Sequence, residues 1–171
     1  MSADPTSLAG SAGPGDLARL SAVELMAGYR SRRFSPRDVV EQVIDALERT
    51  QAVCNVVVTD MFDQARAEAD RQSAAWRAGD PPGPLAGVPV TVKDLVFVAG
   101  VAAKGGAPSL EGFIPETDAH VVARLKAAGA IVTCKTTTCE SGYKLTADSP
   151  VSGVTRNPWA PARTSGGSSG G

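Results

Sequence analysis

The stretch Gly87-Val88-Pro89-Val90-Thr91-Val92-Lys93-Asp94 reads as a strand entering a core: a β-branched run opened by glycine and closed by charge. Its proline lies near the start, where a missing ladder donor is tolerated. Further on, Thr117 or Asp118 offers a helix cap, Val121, Val122 and Leu125 supply a buried stripe, and Gly129 closes the helix. Ala130-Ile131-Val132-Thr133 is then the next strand. Strand, crossover helix and strand in this order predict an α/β sheet that is parallel at least in part.

The segments before this unit are helical. Ser35-Pro36-Arg37-Asp38 combines a capping serine, a proline at the first helical position and an acid at the third. Val39, Val40, Val43, Ile44 and Leu47 follow at helical spacing, so a helix is expected over about 36–49. Cys54 to Thr59 is a short extended run, and Asp60 to Ala78 predicts a second helix ending at Gly79. Asp80 to Gly87, with three prolines and two glycines, is a loop. The opening residues are rich in Ser, Ala, Gly and Pro, without the basic head or apolar core of a signal peptide, and residues 1–29 are expected to be a poorly ordered leader.

Composition removes several function classes. Seventeen basic and eighteen acidic residues among 171 leave a net charge of −1, with no basic block to follow a phosphate backbone. No apolar run approaches the roughly 18 to 20 residues that span a bilayer. Neither a nucleic acid nor a membrane is an expected partner. Cys54, Cys134 and Cys139 lack CxxC spacing and His120 is the only histidine, so no metal site is expected. Reduced thiols in a cytoplasmic protein are the reading that fits.

Chemistry points to two lysines and a glycine-serine run. Lys93 and Lys135 each follow a buried strand, placing an ammonium at the carboxyl end of the sheet, where α/β proteins bind ligands. Each reads equally as a snorkelling or ion-paired lysine. A Ser-His-Asp hydrolase would depend on His120, which stands at a helix start and reads as a solvated surface residue. A desolvated lysine can serve as base instead, which leaves serine plus lysine as the pair the sequence permits. Gly166-Gly167-Ser168-Ser169-Gly170-Gly171 is either a flexible linker or a loop where backbone approaches something closely. It lacks the Gly-Lys-Ser/Thr of a P-loop and does not match GxGxxG.

Five segments in order resemble the amidase signature family: Gly87 to Asp94; Thr117-Asp118-Ala119 through Ala127-Ala128-Gly129-Ala130-Ile131; Lys135-Thr136-Thr137; Thr155-Arg156-Asn157-Pro158-Trp159; and Gly166 to Gly171. The resemblance covers about residues 30–171 and decides for a loop over a linker. It implies an α/β/α sandwich with a mixed central sheet, incomplete in this chain, with residues 30–171 forming the N-terminal part of the amidase domain. It also implies hydrolysis of a carboxamide C–N bond by a Ser-Ser-Lys triad through an acyl-enzyme, without a cofactor.

Carried onto this sequence, the resemblance makes Lys93 and Ser168 the catalytic residues, with Gly166, Gly167 and Ser169 as the supporting loop and Lys135 structural. It implies a cis Gly167–Ser168 peptide. The nucleophilic serine belongs to a second Gly-Gly-Ser motif expected beyond residue 171, so this polypeptide alone is expected to be inactive. The expected partner is a small-molecule amide, and a homodimer of the full-length form is compatible with the family. An amidotransferase subunit freeing ammonia from glutamine for tRNA-linked amidation, and a truncated, non-catalytic chain, are the alternatives. Two departures stand out. Cys134 replaces a glycine and Cys139-Glu140-Ser141 replaces Pro-Glu-Phe, both expected near the pocket wall.

Overall fold

The computed structural model describes residues 16–171. The first 15 residues of the expected leader lie outside the described residues, but its remainder is structured. A 3-10 turn, Leu17–Arg19, leads into α1, Ala22–Arg30. Ser21 and Glu24 form a reciprocal capping box, and Leu25 and Tyr29 are buried with Val39. That local cap and apolar pair explain why order begins earlier than composition implied.

α2 (Pro36–Cys54) starts on a second capping box, Ser35 with Asp38, and runs past the expected residue 49 to Asn55, whose φ of 54° ends it. β1 (Val57–Asp60) and α3 (Phe62–Ala78) follow, α3 closing on Gly79 at φ 81° as predicted. β2 (Pro89–Lys93), α4 (His120–Ala127) and β3 (Ile131–Thr136) are the strand, crossover helix and strand read from the sequence.

The cap of α4 differs from expectation. Ala119 holds the N-cap position without a side-chain bond, while Asp118 accepts from the Ala99 amide and the Lys126 ammonium. Of the expected stripe, Val122 is buried and Val121 is 55% exposed. The helix presents a narrower apolar face than its spacing suggested.

The sheet has the order β1-β3-β2, with β2 parallel and β1 antiparallel to β3. It is therefore mixed. All six β3 residues are buried, so both faces of this strand are covered. Ile131 packs with Val40 and Ile44 of α2 and Ala65 and Ala69 of α3, whereas Val132 packs with Val92, Val98 and Val122. Alternate side chains of one strand thus join two helix-bearing cores.

Two small hairpins complete the described chain. β4 (Asp148–Ser149) pairs with β5 (Gly153–Val154), and β6 (Arg156–Asn157) with β7 (Ala160–Thr164). At the second hairpin, Asn157 Oδ1 accepts from the Trp159 amide at 2.8 Å and turns the chain.

Candidate active site

β2 delivers Lys93 at its last position, opposite Thr136 of β3. The chain turns at once, with the Asp94 amide donating to Thr136 O at 3.0 Å. Strand pairing therefore fixes the lysine backbone, and the half-buried side chain extends from the carboxyl end of the parallel pair.

The glycine-serine run meets it there. The Ser165 amide donates to Thr155 O at 2.9 Å, that of Gly167 to Leu145 O at 2.7 Å, and that of Gly171 to Thr137 O at 2.9 Å. Ser165 Oγ donates to Gly170 O at 3.0 Å and closes the loop on itself. Glycine is required where the loop lies against other backbone. A Cβ on Gly167 would stand 2.4 Å from Lys144 O, and one on Gly170, at φ 83°, 2.6 Å from Thr137 O. The Gly167–Ser168 peptide is cis, the geometry implied by the resemblance.

Lys93 Nζ donates to the carbonyl oxygen of Ser168. Cys139 Sγ lies 4.0 Å from the same oxygen. Ser168 and Ser169 are exposed within the turn, and Gly166 takes φ 86° where the chain leaves β7. The structure brings Lys93 together with Ser168, while Lys135 is spent on Asp94 and His120 is exposed at the start of α4.

Lys135 is fully buried on β3, its Nζ 3.1 Å from Asp94 O, to which it donates, and 3.2 Å from Asp94 Oδ1. The Asp94 carboxylate, itself 1% exposed, receives no hydrogen bond with good geometry. Burial pulls the Lys135 ammonium below the ordinary lysine range, against the opposing pull of the Asp94 charge. His120 is exposed at the first residue of α4.

The two departures separate. Cys139 is beside Ser168, and Cys134 lies fully buried inside the sheet between Thr91 and Asp60 of the flanking strands. Burial pushes its thiol up to about 11, with the Asp60 charge adding and the Thr133 contact opposing. Cys54, Cys134 and Cys139 are all free thiols. Among the described residues no group of three or more His, Cys, Asp or Glu could hold a metal, and no helix is long and apolar enough to cross a membrane.

Sequence reasoning missed the strap that steadies the loop. Thr137 and Thr155 share a hydrogen bond at 2.5 Å between their hydroxyls, and Thr155 Oγ1 donates to Asn55 O at 3.0 Å. Asn55 Nδ2 donates to Ser152 O at 2.5 Å and Val154 O at 3.2 Å, tying the end of α2 to the β4–β5 hairpin. The one local signal was an asparagine following a helix, a residue that tolerates the left-handed cap.

A mixed sheet with a lysine at the end of one strand, held against a glycine-rich serine loop, is the arrangement implied by the resemblance to the amidase signature family. Comparison agrees: the Amidase family profile matches residues 38–171, and the chain belongs to that family. It is 38% identical over 150 residues to a glutamyl-tRNA(Gln) amidotransferase subunit of Rhodopirellula baltica, covering 88% of this chain and 30% of that protein. It is equally 38% identical to an acylamidase of Rhodococcus erythropolis, covering 88% of this chain and 31% of the relative. A bacterial aryl acylamidase belonging to the amidase signature enzymes superposes with a TM-score of 0.84 at 30% identity, over 92% of this chain and 33% of that one. The chain spans about a third of the length of the relatives it matches.

Proposed function

We propose that the full-length protein hydrolyses a carboxamide, with Lys93 as base, Ser168 as proton relay and a nucleophilic serine outside residues 1–171. The observation that carries this reading is the contact between Lys93 Nζ and Ser168, brought together by β2 and a glycine loop 75 positions apart. The contact is to the main-chain oxygen. Relay requires Ser168 Oγ to rotate toward the amine, an adjustment in keeping with the loose geometry of catalytic hydrogen bonds before substrate binds.

In this mechanism the Lys93 amine takes the Ser168 hydroxyl proton while Ser168 Oγ takes that of the nucleophile, whose oxygen attacks the amide carbon. Backbone N–H groups stabilise the oxyanion, and the proton returns through the relay to the departing nitrogen. Water then cleaves the ester and regenerates the serine. Residues 1–171 alone supply base and relay and are expected to turn over no amide. Three buried thiols suit a reducing compartment, and the cytoplasm is the location this reading assigns.

The equal identity to an acylamidase and to an amidotransferase subunit favours keeping a second reading, release of ammonia from glutamine within a larger assembly. Incubating the full-length protein with aryl and alkyl amides and with glutamine, and following amine or ammonia release, separates the two. Mass spectrometry after a rapid quench should show an acyl adduct on a serine. Unchanged turnover in both Lys93→Ala and Ser168→Ala would overturn the triad under either reading.

A further inference from the structure

Away from the sheet's carboxyl end, the turn between α1 and α2 faces the C-terminal end of α3 across a cavity of about 290 Å³. Arg32, Arg33 and Arg77 line it over a floor of Tyr29, Phe34 and Trp76. The floor is rigid. Tyr29 Oη donates to Gly87 O at 2.8 Å, and its ring packs against Phe34 and Trp76 with centroids 5.6 Å away in each case.

Two of the guanidinia, those of Arg32 and Arg33, are held by contacts that leave their charge unneutralised. Arg33 lies over the Phe34 ring at 5.5 Å, and Arg32 Nη2 donates to Arg77 O at 3.4 Å, bridging the two sides. Arg32 holds φ 57°, a conformation glycine would adopt more readily. The only carboxylate in the lining is Asp38, whose Oδ2 already accepts from the Ser35 amide and hydroxyl at 2.8 Å each. Elsewhere, Arg37, Arg66 and Arg71 form ion pairs with carboxylates. Among the described residues Arg32, Arg33 and Arg77 form none, and Glu24, which feels the Arg33 charge, spends its carboxylate on Ser21.

Three cations against one engaged carboxylate, in a chain with seventeen basic and eighteen acidic residues in all, make a local positive field. Guanidinium forks match phosphate and carboxylate oxygens two at a time. Arg30 lies 5.9 Å over Trp76 and Tyr29 packs against the same ring, so the Trp76 face is occupied, while Phe34 holds Arg33. We propose that this cleft binds a compact polyanion carrying two or more phosphate or carboxylate groups, at a site separate from Lys93 and Ser168 and independent of the amidase reading.

The test is calorimetric titration of the full-length protein with pyrophosphate and, in a second arm, with citrate. Saturable one-to-one binding that weakens with added salt is expected, and the tighter arm identifies the oxyanion class. Arg33→Ala and Arg77→Ala should each weaken it at least tenfold, and Arg33→Lys should recover only part because the fork is lost. Arg71→Ala, removing a surface arginine paired with Glu68, should leave binding unchanged. No saturable binding of either anion at millimolar concentration, or equal binding in variants whose thermal transitions match the parent, would overturn the proposal. Loss of amide turnover would leave these titrations unaffected.

Discussion

Lys93 Nζ donates a hydrogen bond to the carbonyl oxygen of Ser168, joining the end of β2 to the glycine-serine loop. This single contact links the two residues that the family resemblance selected, and it sets the first expectation. Under the proposed function, Lys93→Ala in the full-length protein should lower kcat by roughly 10²–10⁴-fold, the usual contribution of a positioned acid-base group. Steady-state amide hydrolysis, with KM little changed, is the check; the half-buried site should leave the thermal transition close to that of the parent.

Gly167 is close to other backbone on one side. Because an added methyl would stand 2.4 Å from Lys144 O, Gly167→Ala should displace the loop from Lys144 and Leu145 and cost about 1–3 kcal/mol in overpacking. Urea denaturation and kcat measured on the same preparation should both fall. Gly166, with open space around its α-carbon, differs: alanine there should act through its φ of 86° alone and cost less.

The buried pair of Lys135 and Asp94 offers a test of charge in the core. Lys135→Met removes one partner and strands a carboxylate that is 1% exposed, so a loss of about 3–5 kcal/mol is expected, while Lys135→Met with Asp94→Leu should recover much of it. The pH dependence has a definite sign. Burial holds the Lys135 ammonium below its ordinary value of 10.5, so between the folded value and 10.5 the unfolded chain binds more protons. The part of stability due to Lys135, parent minus variant, should rise with pH across that window. Denaturation curves taken from neutral pH to pH 10 measure it.

Cys134 should be inert in the folded state. With its thiol pushed up to about 11 and no exposed surface, it is protonated at pH 8 and shielded from reagents. Iodoacetamide followed by peptide mass mapping should leave Cys134 unmodified in native protein and modify it fully in urea.

The sequence announced the elements whose signals are local and left out the contacts made at a distance. The crossover unit from Pro89 to Thr136 was legible because β-branched runs, a helical stripe and Gly129 lie in sequence order. The antiparallel addition of β1 was not, since four residues after a helix carry no record of their partner. α1 was overlooked although Ser21 and Glu24 spell its cap, because the small residues before it dominate the composition. At the site, Lys93 and Ser168 were reached through ordered motifs, since spacing alone left Lys93 and Lys135 equivalent. Burial separates them: one is half-exposed beside the loop, the other enclosed against Asp94. The resemblance placed Cys139 near the pocket wall, but its approach to Ser168 itself, between residues 29 positions apart, had no local signal.

The exit of β3 fastens both halves of the site. Lys93 is registered opposite Thr136, and the loop carrying Ser168 is bonded at its far end to the next residue, Thr137. Lys93 and Ser168 therefore share one anchorage. A rigid shift of β3, whether from repacking around Ile131 or from a helix sliding over either face, would carry both together and leave their separation nearly constant. Substitutions in the helices can then drift without parting Lys93 from Ser168, whereas an insertion between Thr136 and Thr137 would misalign the pair at a stroke.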